Sequence, residues 1–204
     1  MAMKTINTKI FSYILTFLIM LTFLINYQLN NGSVSLSFFV ECITKSVAVI
    51  SIFSSIFATV LWKFRIFQNW LVLVPNLNGI WKGKIQSDWI SPDTNKKLPP
   101  IDAQLIIKQS LFHISCVMKT NEMTSHSIAF GYILDSKNQT KQLSYTYTSI
   151  PHQTIQERSR IHYGTVLFDI DGKQMSGNYW TGRKTTGYIE MTWKQKNKKA
   201  SSKS

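Results

Sequence analysis

The chain has two cysteines, Cys42 and Cys116, and no CxxC pair. Cys42 falls at the edge of a hydrophobic stretch and Cys116 in a strand-like run. That leaves no disulfide framework and suits a reducing compartment. The four histidines, at 113, 126, 152 and 162, share no HxxxH or HxxE spacing, so no metal site is expected. No GxSxG, no Walker loop and no recognisable pair of catalytic carboxylates occurs, so the chain is read as a non-enzyme. Acids are scarce: 10 against 23 Lys and Arg, a formal charge of +13 over 204 residues. That excess is scattered. Residues 1–75 hold five bases and one acid, 76–193 thirteen bases and nine acids, and the stretch from Lys194 onward five lysines and no acid. A nucleic-acid face concentrates charge on the folded part, so neither a DNA nor an RNA duplex is expected as partner.

Apolar sequence, by contrast, is abundant and unevenly placed. Ile10 to Ile25 has no charge and no proline, close to the roughly 20 residues that span a bilayer. A second apolar stretch runs from Ser46 to Trp62. Lys4 and Lys9 precede the first stretch, Lys63 and Arg65 follow the second, and the connector from Asn26 to Ser37 has neither Lys nor Arg. This charge pattern places both termini in the cytoplasm. A cleaved signal peptide is the competing reading of the first segment; the long apolar run and the lack of an A-x-A site argue against it. The expectation is a two-helix hairpin in residues 1–75, with helices at about 10–27 and 43–62. In the second helix Glu41, Thr44, Ala48, Ser51, Ser55 and Ala58 recur at 3–4 spacing and share a face. Small and hydroxyl residues let membrane helices approach closely. Two uses of Ala48, Ser51, Ser55 and Ala58 stay open: packing on the chain's own first helix, or self-association of several chains. Glu41 can also pair with Lys45 at i,i+4.

After Pro75 the pattern changes to alternation. Eight strands are expected between 76 and 194: Gly79–Trp89, Ile101–Gln109, Leu111–Lys119, Ser125–Asp135, Thr140–Ser149, His162–Ile170, Lys173–Thr181 and Thr186–Trp193. Runs such as Phe112/Ile114/Cys116/Met118 and Val166/Phe168/Ile170 carry the period of two, and Asp171-Gly172 is a strong hairpin signal. Short connections favour an antiparallel up-and-down meander. It either closes into a small barrel with room for side chains or one ligand, or splits into a two-sheet sandwich. Residues 195–204 read as a basic disordered tail.

The most distinctive segment is Gly177–Met191, GNYWTGRKTTGYIEM. In an extended chain Tyr179, Thr181 and Arg183 point the same way, which sets a ring, a hydroxyl and a guanidinium on one surface. Arginine matches phosphate oxygens bidentately, and an aromatic face stacks on a base. Arg158 and Arg160 form a second cationic pair in a long loop. Trp81 and Trp180 are left between lining a site and packing the core.

Taken together, the hairpin at 10–62, the NLNGIWKGKI stretch at Asn76–Ile85 and the GNYWTGRKTTGYIEM segment resemble a known family. It is the two-transmembrane, β-strand-rich, SMODS-associated effectors of bacterial CBASS antiphage operons. The resemblance implies a membrane-anchored all-β protein, an eight-stranded antiparallel barrel behind the helical hairpin. It implies that the barrel binds a cyclic dinucleotide made by a partner nucleotidyltransferase and needs no cofactor. Ligand would drive the membrane segments into a homo-oligomer that disrupts the lipid bilayer of the inner membrane and kills the infected cell. Carried over onto the motif, the ligand-binding residues are Tyr179, Thr181 and Arg183, with Thr185 beside them. Tyr145, Tyr147 and Arg160 are geometric candidates outside it. Competing expectations are a membrane-tethered barrel for lipid or fatty acid, and a structural, holin-like protein.

Overall fold

The computed structural model describes residues 5–91, 95–135, 138–153 and 160–195. The sequence-expected tail from 196 onward and Arg158 lie outside the described residues. The chain divides into two compact units, Met1–Pro75 and Asn76–Ser204.

The first unit is built on α1, Thr8–Leu29, and α2, Leu36–Thr59. Asn7 caps α1 by accepting from the Ile10 amide, 3.4 Å, and Ser35 caps α2 by accepting from Phe38, 3.3 Å. Both helices are long and apolar enough to cross a bilayer. α2 begins seven residues before the expected position 43. Ser35 sets that start as the N-cap; the expected Glu41–Lys45 pair forms one turn apart within the helix at 3.1 Å, and Lys45 Nζ also reaches Asn26 Oδ1 on α1, 2.6 Å. Past Thr59 the helix gives way to two short 3₁₀ turns, Leu61–Lys63 and Arg65–Phe67. The ends of the unit are tied together: Asn7 donates to the Leu71 carbonyl at 2.8 Å and Leu73 to that of Thr5 at 2.9 Å.

The face that α2 turns toward α1 carries Phe38, Cys42, Ser46 and Phe57, all buried, at helical spacing. Phe38 meets Phe23 edge-on with centroids 5.3 Å apart, and Phe57 meets Phe11 at 5.4 Å. Ala48, Ser51 and Ser55 stay exposed and Ala58 half-buried. Of the two uses the sequence left open, packing on the chain's own first helix belongs to a different face.

The second unit has eight strands: β1 Gly79–Ser87, β2 Ile101–Gln109, β3 Ile114–Thr120, β4 Met123–Asp135, β5 Thr140–Pro151, β6 His162–Asp171, β7 Gln174–Thr181 and β8 Thr186–Gln195. Each pairs antiparallel with its sequence neighbours, and β1 pairs with β8 from Trp81↔Trp193 to Ser87↔Gly187, which closes the barrel. Hydrogen bonding across that last seam decides against the sandwich. β8 runs through Gln195, one residue into the stretch expected as tail. The β6–β7 turn has Gly172 at its first central position with φ 55°, the backbone sign that two-residue hairpins require. The thinnest seam joins β3 to β4, from Val117↔His126 to Lys119↔Thr124. Beyond it β4 bulges between Ser127 and Ala129 and follows β5 alone.

Alternation sends Leu105, Ile107, Ile114, Cys116, Leu143, Val166, Phe168, Met175 and Met191 inward, where they form the core. Phe112 breaks the expected alternating run: it lies in the β2–β3 turn, 59% exposed. Both cysteines are buried and free. One end of the barrel is shut. Trp81 fills it, 1% exposed, with its indole N–H donating to the Leu77 carbonyl at 2.9 Å. Gln109 and Asn78 staple the same end, Gln109 Oε1 accepting from the Leu77 amide and Asn78 Oδ1 from the Gln109 amide, both 2.7 Å. Trp81 is thus core, not site.

Candidate functional site

At the opposite end the side chains run out before the barrel does. A cavity of about 620 Å³ opens there, lined by the mouth ends of the strands. Its floor is apolar, with Ile85, Met118 and Ile189 around the Tyr145 ring, which is 2% exposed. Its rim is polar. Ser87, Thr120, Ser125, Ser149, Thr181 and Thr185 ring the opening. The polarity shift follows the inward positions along single strands, as in Leu143, Tyr145, Tyr147 and Ser149 on β5.

Six of the seven ligand-binding candidates from the sequence meet in this cavity: Tyr145, Tyr147, Tyr179, Thr181, Arg183 and Thr185. Arg160 does not. Its side chain is exposed outside the lining, and it acts through its backbone, whose carbonyl accepts from His162 Nδ1 at 3.0 Å. Trp180 alternates outward, 46% exposed, and neither lines the cavity nor joins the core.

The tyrosines are placed by glycines. Tyr147 on β5 stands opposite Gly164 on β6, and Tyr179 on β7 opposite Gly187 on β8. A Cβ at Gly164 would lie 2.5 Å from the Tyr147 ring, and one at Gly187 2.6 Å from that of Tyr179. Each ring lies over a residue with no side chain, which leaves the cavity volume beside it open. The β7–β8 turn is held by Thr181: its amide donates to the Thr185 carbonyl at 3.0 Å, and its hydroxyl meets that of Thr185 at 2.6 Å. Arg183 sits on this turn at the mouth, its own amide donating to Thr181 Oγ1 at 3.3 Å.

Donors outnumber acceptors in the site, which also holds the Glu122 carboxylate and the His162 ring. Burial pushes the Tyr147 phenol up to about 12, with the Tyr179 phenol adding to that and the Arg183 charge opposing it. Burial also raises Tyr145 and Tyr179. All three phenols are therefore neutral hydrogen-bond donors at pH 7. Burial holds His162 below its ordinary value, a shift the Arg160 carbonyl opposes and the Arg183 charge reinforces. With Nδ1–H given to that carbonyl, the neutral ring keeps Nε2 as an acceptor. A guanidinium, three phenols and several hydroxyls around one apolar floor suit a ligand carrying both phosphates and flat rings.

Residues 72–195 match the family model described as Cap15, cyclic dinucleotide receptor domain. The match covers more than half of the chain. This chain belongs to that family. It is also 31% identical over 86 residues to the CD-NTase-associated protein 15 of Staphylococcus schleiferi, a match covering 42% of this chain and 46% of that protein. The chain thus aligns with about half the length of that relative. In this Cap15-type barrel, sequence reasoning missed Ser87, Ser125, Ser149, Glu122 and His162. For the three serines the signal was present as a switch from aliphatic to hydroxyl residues at inward positions near strand ends. It becomes readable only once the register shows which ends meet.

Proposed function

We propose that the chain is an antiphage effector of the CBASS type, whose barrel binds a cyclic dinucleotide made by a partner nucleotidyltransferase. The observation that carries this reading is the meeting of Arg183, Thr181, Thr185, Tyr147 and Tyr179 at one cavity mouth in a barrel of the cyclic dinucleotide receptor family. Arg183 and the threonine hydroxyls take the phosphates, and the tyrosine rings take the bases. The related CD-NTase-associated protein points to the same kind of messenger. In this reading both helices span the bacterial inner membrane with both termini in the cytoplasm.

Signalling is a population shift. Ligand drives assembly only by binding the associated form more tightly than the monomer. The α2 face of Ala48, Ser51, Ser55 and Ala58, turned away from the α1-packing face, mediates contacts between chains. Assembly of the helices then breaches the membrane and ends the infected cell.

The binding step is tested by the melting temperature of the full chain in detergent against a panel of cyclic dinucleotides. Ligand at 100 times its dissociation constant adds about 2.7 kcal/mol of stability. Arg183→Ala removes charge-assisted hydrogen bonds of about 1.5–3 kcal/mol each and is expected to abolish the shift. A folded protein with no shift for any ligand would overturn the reading. For the membrane step, Ser51→Leu with Ser55→Leu is expected to end toxicity with nucleotide binding intact; undiminished toxicity would rule this face out.

A further inference from the structure

Three buried polar groups stand side by side on the cavity wall: Ser125 on β4, Ser149 on β5 and His162 on β6. The register pairs Ser125 with Ser149 and Ser149 with His162. All three line the cavity and are 9%, 0% and 7% exposed in that order. What they offer a ligand follows from where their hydrogens go. The Ser125 hydroxyl donates to Ser149 Oγ at 3.1 Å, and the Ser149 hydroxyl donates to Met123 Sδ at 2.9 Å. The Arg160 carbonyl, 3.0 Å from His162 Nδ1, can only accept, so Nδ1 holds the proton of the neutral ring. Each donor hydrogen of the row is committed within the protein. What remains for the cavity is lone pairs: those of the two hydroxyl oxygens and that of His162 Nε2. The charged side chains of the lining, Glu122 on the β3–β4 turn and Arg183 on the β7–β8 turn, are separated by four strands either way around the closed ring. The row occupies three of the strands between them.

A row of acceptors repels phosphate oxygens, so this stretch of wall calls for the part of a nucleotide that carries donors. Tyr147 indicates which part. It is the next inward residue below Ser149 on β5, and its ring lies over Gly164, the next inward residue below His162 on β6. Inward neighbours along a strand stand roughly 6.6 Å apart, so a base stacked on Tyr147 brings its edge to the row. The bases differ in what that edge holds. Adenine, guanine and cytosine carry an exocyclic amino group, whose two hydrogens can serve two acceptors. Uracil and hypoxanthine present a ring N–H beside carbonyl oxygen, and that oxygen turns lone pairs toward those of the row.

We infer that His162, with Ser125 and Ser149, accepts hydrogen bonds from the exocyclic amino group of a base stacked on Tyr147, so that the receptor requires a cyclic dinucleotide with at least one amino-bearing base. This assignment deepens the function proposed above and rests on it. It makes His162 a specificity-determining residue and explains why its ring is turned with Nδ1 toward the backbone.

The test measures dissociation constants on the full chain in detergent micelles for four 3′,3′-linked probes: cyclic di-AMP, cyclic di-GMP, cyclic di-IMP and cyclic di-UMP. Cyclic di-GMP and cyclic di-IMP differ only by the amino group on each base. Leaving a buried acceptor unpaired is costly, so the better of cyclic di-AMP and cyclic di-GMP should bind about tenfold or more tighter than the two amino-free probes. His162→Phe keeps a flat ring without the acceptor and is expected to bring the amino-bearing probes down to the level of the others. The comparison of probes on the wild type needs no variant and stands whether or not His162→Phe folds. An amino-free probe bound by the wild type as tightly as the better amino-bearing one would overturn the assignment alone, since the row would then meet the ribose hydroxyls that all four share. An equal loss across all four probes in folded His162→Phe would overturn it too, by making the ring's role structural. No binding of any probe to the folded wild type would overturn the cyclic dinucleotide reading itself, and the assignment with it.

Discussion

The two ends of the barrel are made from the same eight strands and differ in what fills them. At the closed end the inward positions carry Trp81, Ile107, Ile114, Phe168 and Met175, all nearly inaccessible. At the open end they carry Ser87, Thr120, Ser125, Ser149 and Thr181. An eight-stranded barrel has an interior just wide enough for side chains to fill. Residue volume alone therefore decides whether a given level becomes core or cavity. Large apolar residues at one end stabilise the fold; small hydroxyl residues at the other leave space and hydrogen-bonding groups. Stability and recognition are separated along the barrel axis, so their failures should separate as well.

The largest effect is expected at the closed end. Trp81→Ala removes a buried ring and should cost about 3–5 kcal/mol in denaturant unfolding. Ser149→Ala at the open end loses the contact from Ser125 Oγ, 3.1 Å, and that to Met123 Sδ, 2.9 Å. It should cost only about 1 kcal/mol. Equal losses at the two positions would break the distinction between the ends. A middle case sharpens it. Gly164→Ala places a methyl against the Tyr147 ring and tilts the ring into the cavity. Overpacking of this kind costs about 1–3 kcal/mol, and ligand affinity should fall along with stability. Loss of stability with full affinity would show that the Tyr147 ring is not part of the recognition surface.

The smallest expected effect is on pH dependence. His162 is held below its ordinary value of 6.5 in the folded chain. As pH falls through that value the unfolded chain takes up a proton that the folded chain does not. Stability therefore declines from neutral pH downward and levels off below the folded value. Unfolding midpoints at pH 7.5 and 5.5 should show this decline in the wild type and a smaller one in His162→Gln. An unchanged slope in the variant would assign the effect to other groups.

Much of the fold was legible because it is local. The β2 limits, Ile101–Gln109, follow from period-two alternation and flanking breaks, and the β6–β7 hairpin from Asp171-Gly172. The Glu41–Lys45 pair was legible because it lies one helical turn apart, whereas the contact of Lys45 with Asn26 on α1 was not, being nineteen residues away. Arg160 misled for a related reason: a cation in a long loop carries no statement of where its side chain goes. The motif residues Tyr179, Thr181 and Arg183 could be aligned on one side from spacing alone. Glu122 could not be joined to them, being about sixty residues away, because their common cavity is a property of strand pairing.

By itself the sequence determined the two apolar helices, the eight strands, their inward faces and the ring–hydroxyl–guanidinium segment. These depend on periodicity and on neighbours a few residues apart. Tertiary structure decided the closure of β1 on β8, which end Trp81 seals, which face of α2 meets α1, and the placing of Glu122 across the mouth from Arg183. Each of these is a pairing between residues distant in the chain, fixed by hydrogen-bond register and by which side chains compete for the same volume.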